Sequence, residues 1–139
     1  MTSFVPDIPG TYVVQLIVND GFVDSDPSTI QVQAVTLQTI AIGAIQYTES
    51  LITLLSPSDF KNPNMKNTLI NKLNTVIANI EAGLYADALG QLQNDILGKT
   101  DGCANSGSPD KNDWIINCGA QGIVYPSILD VIAKVGALL

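Results

Sequence analysis

Arginine and histidine are both absent from this 139-residue chain, and its six lysines face thirteen acidic residues, which gives a formal net charge of −7. An acidic chain without arginine lacks the positive surface with which proteins bind nucleic acids. A chain without histidine cannot build a Ser-His-Asp triad or a Cys-His pair, and it lacks the commonest zinc ligand. We therefore expect no nucleic-acid partner and predict that the protein is not an enzyme. The lysines are scattered along the sequence, so no basic patch is expected.

Charged residues of either sign are also scarce, at 14% of the chain against roughly 25% in an average soluble protein. The polar residues are mostly neutral, as is frequent outside the cell, so we predict an extracellular or cell-surface location. The most apolar stretch, residues 40–45, is far shorter than the ~18 residues of a membrane span, and no span is expected. The first six residues lack the cationic start and apolar run of a signal peptide, so we expect the native start to lie upstream.

Cys103 and Cys118 are the two cysteines, and they flank a loop rich in Gly, Ser, Asn and Asp. An even number of cysteines around a polar loop favours a disulfide in an oxidising compartment. In the chain-entropy description, closing a loop of about 15 residues contributes roughly 3 kcal/mol. Two reduced thiols are the alternative. Metal binding by two cysteines without histidine is not expected.

The first quarter of the chain is predicted to form a β-hairpin. Residues 11–19 and 28–35 are rich in β-branched residues and alternate with a period of two, while residues 19–27 are rich in turn formers. A two-stranded hairpin is marginal by itself, so upstream sequence, another copy of the chain or the helical part must cover it. The residues expected to form the strand-addition interface are Tyr12, Val14, Leu16, Val18, Ile30 and Val32.

The hairpin sequence resembles the last two strands of a PKD domain, an immunoglobulin-like β-sandwich common in bacterial surface and secreted proteins. Residues 9–21, Pro-Gly-Thr-Tyr-Val-Val-Gln-Leu-Ile-Val-Asn-Asp-Gly, and residues 24–32 carry the resemblance. It implies a tyrosine corner, in which Tyr12 hydrogen-bonds back across the preceding turn. The earlier strands of that family, with their Trp-Asp-Phe-Gly-Asp signature, are absent from this sequence. Residues 1–35 are therefore expected to be part of a sandwich.

After Val35 the spacing of apolar residues changes from 2 to about 3.6, which predicts helices. The predicted helices span residues 36–55, 64–82, 84–97 and 121–137. Residues 98–112 are predicted to form a loop. We therefore predict an α+β protein, with an N-terminal hairpin over residues 1–35 followed by a small four-helix bundle over residues 36–139. We expect a disulfide between Cys103 and Cys118 to constrain the loop within residues 98–118 of this bundle.

The helical part resembles FIMAH, a C-terminal helical module often found after PKD or similar repeats in bacterial extracellular proteins. Residues 67–74, residues 81–92 and the aliphatic last helix carry the resemblance, which covers about residues 40–137. It implies an accessory or interaction role without catalytic residues.

The function predicted is therefore a non-catalytic structural or interaction module. Its expected partners are proteins, either upstream strands that complete the sandwich or copies of the same chain in a homo-oligomer. The alternatives are a self-assembling filament subunit that uses the open hairpin for strand addition, and an accessory module for calcium or carbohydrate. For carbohydrate, Trp114 and Tyr125 are the candidate stacking residues, although packing in the bundle is the simpler role.

The loop around the cysteines contains the best-defined candidate for a ligand site. Asp101, Asp110, Asn112 and Asp113 could supply several of the six to eight oxygen ligands that calcium prefers, with the disulfide fixing the loop. The spacing does not match an EF-hand. The competing interpretation is an Asx-rich surface loop whose carboxylates cap helices. No other cofactor is expected.

Overall fold

The computed structural model describes residues 4–139 and divides the chain into two compact units, the first ending at Thr36 and the second spanning Leu37–Leu139. The first unit is an antiparallel two-stranded hairpin, and the second is helical and contains a disulfide. The predicted α+β class, with a hairpin that precedes a disulfide-linked helical part, is confirmed.

The hairpin consists of β1, Gly10–Leu16, and β2, Ser28–Ala34, which pair residue by residue along their full length. β1 ends three residues earlier than the sequence predicts. The regular ladder is interrupted at Val18, whose backbone N–H donates to the Oγ of Ser25, 3.0 Å away, although the Ser25 N–H donates to the Val18 carbonyl at 2.7 Å. Beyond Leu16 the two segments therefore pair irregularly, and they form one more antiparallel bridge, between Asn19 and Asp24, before the tip of the turn.

The described part of the helical unit contains five helices, where the sequence predicts four. They are α1, Leu37–Leu54; α2, Pro63–Glu81; α3, Tyr85–Gln91; α4, Gly102–Ser106; and α5, Cys118–Gly136. The additional helix, α4, lies inside the segment predicted to be a loop. It has only five residues and no apolar stripe, so its sequence shows no periodic spacing of apolar residues from which a helix could be predicted. α3 continues through a π-helical turn, Leu92–Ile96, and a 3₁₀ turn, Leu97–Lys99.

Asparagine side chains cap the two longest helices. Asn62 accepts the N–H of Asn64 at the start of α2, where Pro63 occupies a first-turn position that needs no N–H. Asn117 accepts two N–H groups at the start of α5. α5 thus begins three residues before the predicted start, and Pro126 lies inside this helix.

The core of the helical unit forms where α1 packs against α2 and α5, and α2 packs against α3. One polar contact links α1 to α5, because the hydroxyl oxygens of Thr48 and Ser127 lie 2.7 Å apart. The largest fully buried apolar side chains are Ile45, Ile52, Leu69, Leu73, Ile80, Leu92, Ile96, Ile115 and Ile128. These helices therefore bury a continuous apolar core within the unit itself.

Candidate functional site

The register of the hairpin collects the apolar residues of both strands on one side of the sheet. Tyr12 lies opposite Val32 and Val14 lies opposite Ile30. Together with Leu16, these side chains form what we call the apolar face. Tyr12, Val14 and Val32 are half-buried, while Leu16 and Ile30 are 62% and 60% exposed.

The opposite side of the sheet is mainly polar, since Val13 is its one apolar residue within the ladder. Its cross-strand pairs are Thr11 with Gln33, Val13 with Gln31, and Gln15 with Thr29. Val18, which the sequence assigns to the strand-addition interface, lies beyond the end of β1. The described sheet has two strands, so each strand has one unpaired outer edge.

Tyr12 is tied to the turn that precedes β1. Its hydroxyl lies 2.8 Å from both the Ile8 carbonyl oxygen and the Asp7 Oδ1, and it accepts the N–H of Ile8. The phenol thus bonds back across the turn, as expected from the sequence. The hydrogen bond from Tyr12 is the largest of the effects that hold the pKa of Asp7 below its ordinary value.

The segment between the strands is an acidic turn, which we define as residues 19–26. The Asp20 Oδ1 accepts the backbone N–H groups of Phe22 and Val23, both at 2.9 Å. These bonds, that of Val23 first, hold the pKa of Asp20 below its ordinary value, so this carboxylate is charged at neutral pH. Asp24 accepts the side-chain amide of Asn19. At the tip, Phe22 is 93% exposed.

A disulfide joins Cys103 in α4 to Cys118 at the start of α5, as predicted. Asp113, in the loop that it closes, is fully buried. Its Oδ2 accepts the N–H of Asp110 at 2.7 Å and its Oδ1 accepts the N–H of Gly102 at 3.3 Å. A buried carboxylate is stable only when its oxygens are hydrogen-bonded, and here backbone N–H groups meet that need.

The remaining residues predicted to bind calcium also make local contacts. Asp110 accepts the N–H groups of Asn112 and Asp113, and Asp101 accepts the side-chain amide of Asn105. Across residues 4–139, no group of three or more acidic, cysteine or histidine side chains lies close enough to hold a metal ion. These contacts agree with an Asx-rich loop.

Lysines converge around Trp114, the single tryptophan of the chain. The ammonium groups of Lys99 and Lys72 lie 5.4 and 5.8 Å from the centre of its ring, within the range of cation–π attraction. The backbone N–H of Lys61 donates to the Trp114 carbonyl, and the Lys61 ammonium donates to the Lys111 carbonyl. Lys61 and Lys111 thus join this site through backbone atoms, and the Lys72 ammonium also pairs with Asp95. We call Trp114 with these four lysines the Trp114 lysine cluster.

This cluster gathers lysines that are scattered along the sequence, and it also includes an acidic residue, because Asp95 pairs with Lys72. The four lysines are separated by up to 50 residues in sequence, and no local pattern connects them. The fold brings them together because the segment before α2 pairs with the segment before α5, through a bridge between Phe60 and Ile115. The backbone N–H of Trp114 also donates to the Lys99 carbonyl, 2.9 Å away. The proximity of these lysines is therefore visible only in the folded structure.

A pocket of about 380 Å³ lies beside the disulfide, lined in part by Tyr125, Pro126 and Gln121. Gln121 accepts the N–H of Cys103 and donates to the carbonyl of Ile115, so both ends of its amide are hydrogen-bonded. Tyr125 thus lines this pocket, whereas Trp114 belongs to the lysine cluster. The pocket lining does not include Trp114, the other residue predicted to stack on a sugar.

Comparisons of the chain with models of known families, with curated proteins and with solved structures find no match. Within residues 4–139, none of the helices combines the length and the apolar character that crossing a bilayer requires.

Proposed function

We propose that this chain is a non-catalytic structural or interaction module of a bacterial secreted or cell-surface protein, and that further β-strands, from upstream sequence or from another protein, cover its hairpin. The apolar face of the hairpin is the observation that carries the proposal. Apolar surface contributes roughly 25 cal/mol per Å² only when it leaves water, and none of the residues described up to Thr36 is buried. A covering sheet would bury this face as the two sheets of a sandwich bury theirs.

The helical unit supports the proposal by contrast. Its core is continuous and lined by fully buried aliphatic side chains. The carboxylates of Asp110 and Asp113 and the two cysteines are engaged in contacts within the loop. The helical unit has its own apolar interior, whereas the hairpin needs another segment of polypeptide to cover its apolar face.

A second candidate function is self-assembly, which the unpaired outer edges of β1 and β2 favour. An exposed strand edge presents unpaired N–H and C=O groups to which a strand of another copy can add. The two candidates share the hairpin as the binding element and differ in the polypeptide that covers it.

Hydrogen–deuterium exchange tests the proposal directly. In a dilute sample shown to be monomeric by light scattering, we expect the amides of β1 and β2 to exchange rapidly while those of α2 and α5 stay protected. Hairpin amides as well protected as those of α2 would mean that the hairpin is complete without a partner, and the proposal would be wrong.

A pair of variants on one strand tests the role of the apolar face. Ile30→Lys places a charge in the apolar face, whereas Gln31→Lys places the same charge on the opposite side of the sheet. Light scattering over a range of concentrations measures self-association, and strands appended upstream of the chain measure completion of the sandwich by exchange protection. We expect Ile30→Lys to abolish completion by the appended strands and any self-association that persists in half-molar salt, and Gln31→Lys to preserve both.

A further inference from the structure

The charges of this chain are divided unevenly between its two units. The hairpin unit, up to Thr36, contains four aspartates and no lysine, so all six lysines belong to the helical unit. Three of the four aspartates, Asp20, Asp24 and Asp26, lie in the acidic turn. The hairpin therefore ends in a concentrated negative charge that no cation of the same unit offsets.

The Trp114 lysine cluster is the counterpart of this turn. Among residues 4–139, carboxylates pair with only two ammonium groups, those of Lys72 and Lys134, although the chain has more than twice as many acids as lysines. Lys61, Lys99 and Lys111 in the cluster therefore have no carboxylate partner in the described structure. Lys61 and Lys111 are exposed, so their ammonium groups are accessible to carboxylates of another molecule.

We propose that the Trp114 lysine cluster binds the acidic turn of a second copy of this chain. Opposite charges on two different surfaces of one molecule produce a head-to-tail contact, which closes into a ring or continues as a filament. The inference rests on the proposed interaction role of the hairpin. It assigns the turn of the hairpin to a particular partner, while the apolar face remains available for other strands.

The chemistry of the two surfaces matches beyond net charge. The Lys99 ammonium, which lies near the Trp114 ring, and the exposed Lys61 and Lys111 can each pair with a carboxylate of another molecule. The turn presents its carboxylates together with the exposed Phe22, which offers an apolar surface to the half-buried Trp114. Complementary charges and an aromatic anchor are the features that fix the register of a protein interface.

Light scattering and the emission of Trp114 test this contact in the full chain. We expect the mean mass to rise from low to several hundred micromolar protein at low salt, with a parallel change in tryptophan emission. Both changes should be lost in half-molar salt, which shortens the Debye length to about 4 Å. A mass that stays monomeric throughout would overturn the proposal. An emission change that does not depend on concentration would indicate contact within one chain, and it would overturn the proposal too.

Charge-reversal variants identify the two surfaces. Lys111→Glu changes the cluster without touching the tryptophan ring, and it should weaken association by about tenfold. Lys134→Glu changes the net charge equally at a lysine that pairs with Asp130 in α5, and it should leave association within about twofold of the original. Equal weakening by both variants would indicate a general charge effect and would refute the assigned site.

A mixing experiment tests the pairing itself. Asp26→Lys reverses a charge of the turn at a side chain for which the structure shows no hydrogen bond, and it should also prevent association. In an equimolar mixture, the unchanged turn of the Lys111→Glu chain meets the unchanged cluster of the Asp26→Lys chain, so association into pairs should return. A mixture that stays dissociated would overturn the pairing. Ile30→Lys should leave this contact intact, so failure of the turn contact and failure of the apolar face are distinguished.

Discussion

Gly102 and Asp113 fit together so closely that position 102 has no space for a side chain. A Cβ atom at Gly102 would overlap the Asp113 carboxylate and would lie 2.6 Å from the backbone nitrogen of Asp110. The same glycine donates its N–H to the Asp113 Oδ1. The fully buried carboxylate thus joins the start of α4 to the loop before α5.

Gly102→Ala is therefore expected to destabilise the chain by about 1–3 kcal/mol, because rigid backbone surrounds the added methyl group. The matched control is Gly43→Ala in the exposed middle of α1, where nothing lies within 4 Å of the new Cβ. That control should stabilise the chain by about 0.5–1 kcal/mol. Urea unfolding measures both changes. An unchanged free energy of unfolding for Gly102→Ala would show that the loop can move to accommodate the methyl group.

Asp113→Asn is expected to cost about 1–3 kcal/mol, because one of its two backbone donors would then face an amide N–H₂ group. Asp110→Asn is the control, since the Oδ1 of Asp110 accepts both of its N–H groups and an amide oxygen can replace it. Thermal unfolding should therefore show a much larger decrease for Asp113→Asn. Equal decreases would mean that charge, and not the pattern of donors, holds the loop.

Tyr12→Phe is expected to raise the pKa of Asp7 towards its ordinary value, because the hydroxyl that bonds to the carboxylate is removed. The Asp20 carboxyl provides an internal reference, since its pKa is lowered by backbone N–H groups that the substitution leaves in place. NMR titration of the aspartate carboxyl carbons measures both. Since the folded pKa of Asp7 is depressed, its stabilising effect exists above the ordinary pKa and is lost as pH falls through the folded value.

Glu49 should make stability decrease as the pH rises. Its Oε1 is buried without a hydrogen-bond partner, and burial raises the pKa of this carboxyl. The folded chain thus holds the proton more tightly than the unfolded chain, and stability is lost between the ordinary and the raised pKa. Calorimetry should show a higher Tm for Glu49→Gln at neutral pH, with the gain vanishing below about pH 4. Glu81→Gln at an exposed site controls for lost charge, and a lower Tm for Glu49→Gln would contradict this account.

The hairpin and the long helices could be predicted because their periods are local. Alternation marks β1 and β2, and three- and four-residue steps mark α1, α2 and α5. The position of Tyr12 in its Gly-Thr-Tyr segment also indicates the hydrogen bond back across the turn. Two cysteines that flank one polar loop made their pairing the simplest prediction.

The features that the sequence did not reveal depend on long-range contacts. Asp113 has the residue type of a solvent-exposed loop, and its burial depends on Gly102, which is eleven residues away. The lysines around Trp114 come from four separate segments, so their convergence depends on the pairing of Phe60 with Ile115. Such contacts are set by tertiary packing, which no periodicity in a single sequence records.

The bond between Cys103 and Cys118 also determines what a protease can do to the loop that it closes. Lys111 is exposed in this loop, where an enzyme that cleaves after lysine has access to it. A cut there would leave both halves covalently joined and heavier by one water in an intact mass spectrum. The nicked molecule would run as one band until thiol is added and as two bands afterwards.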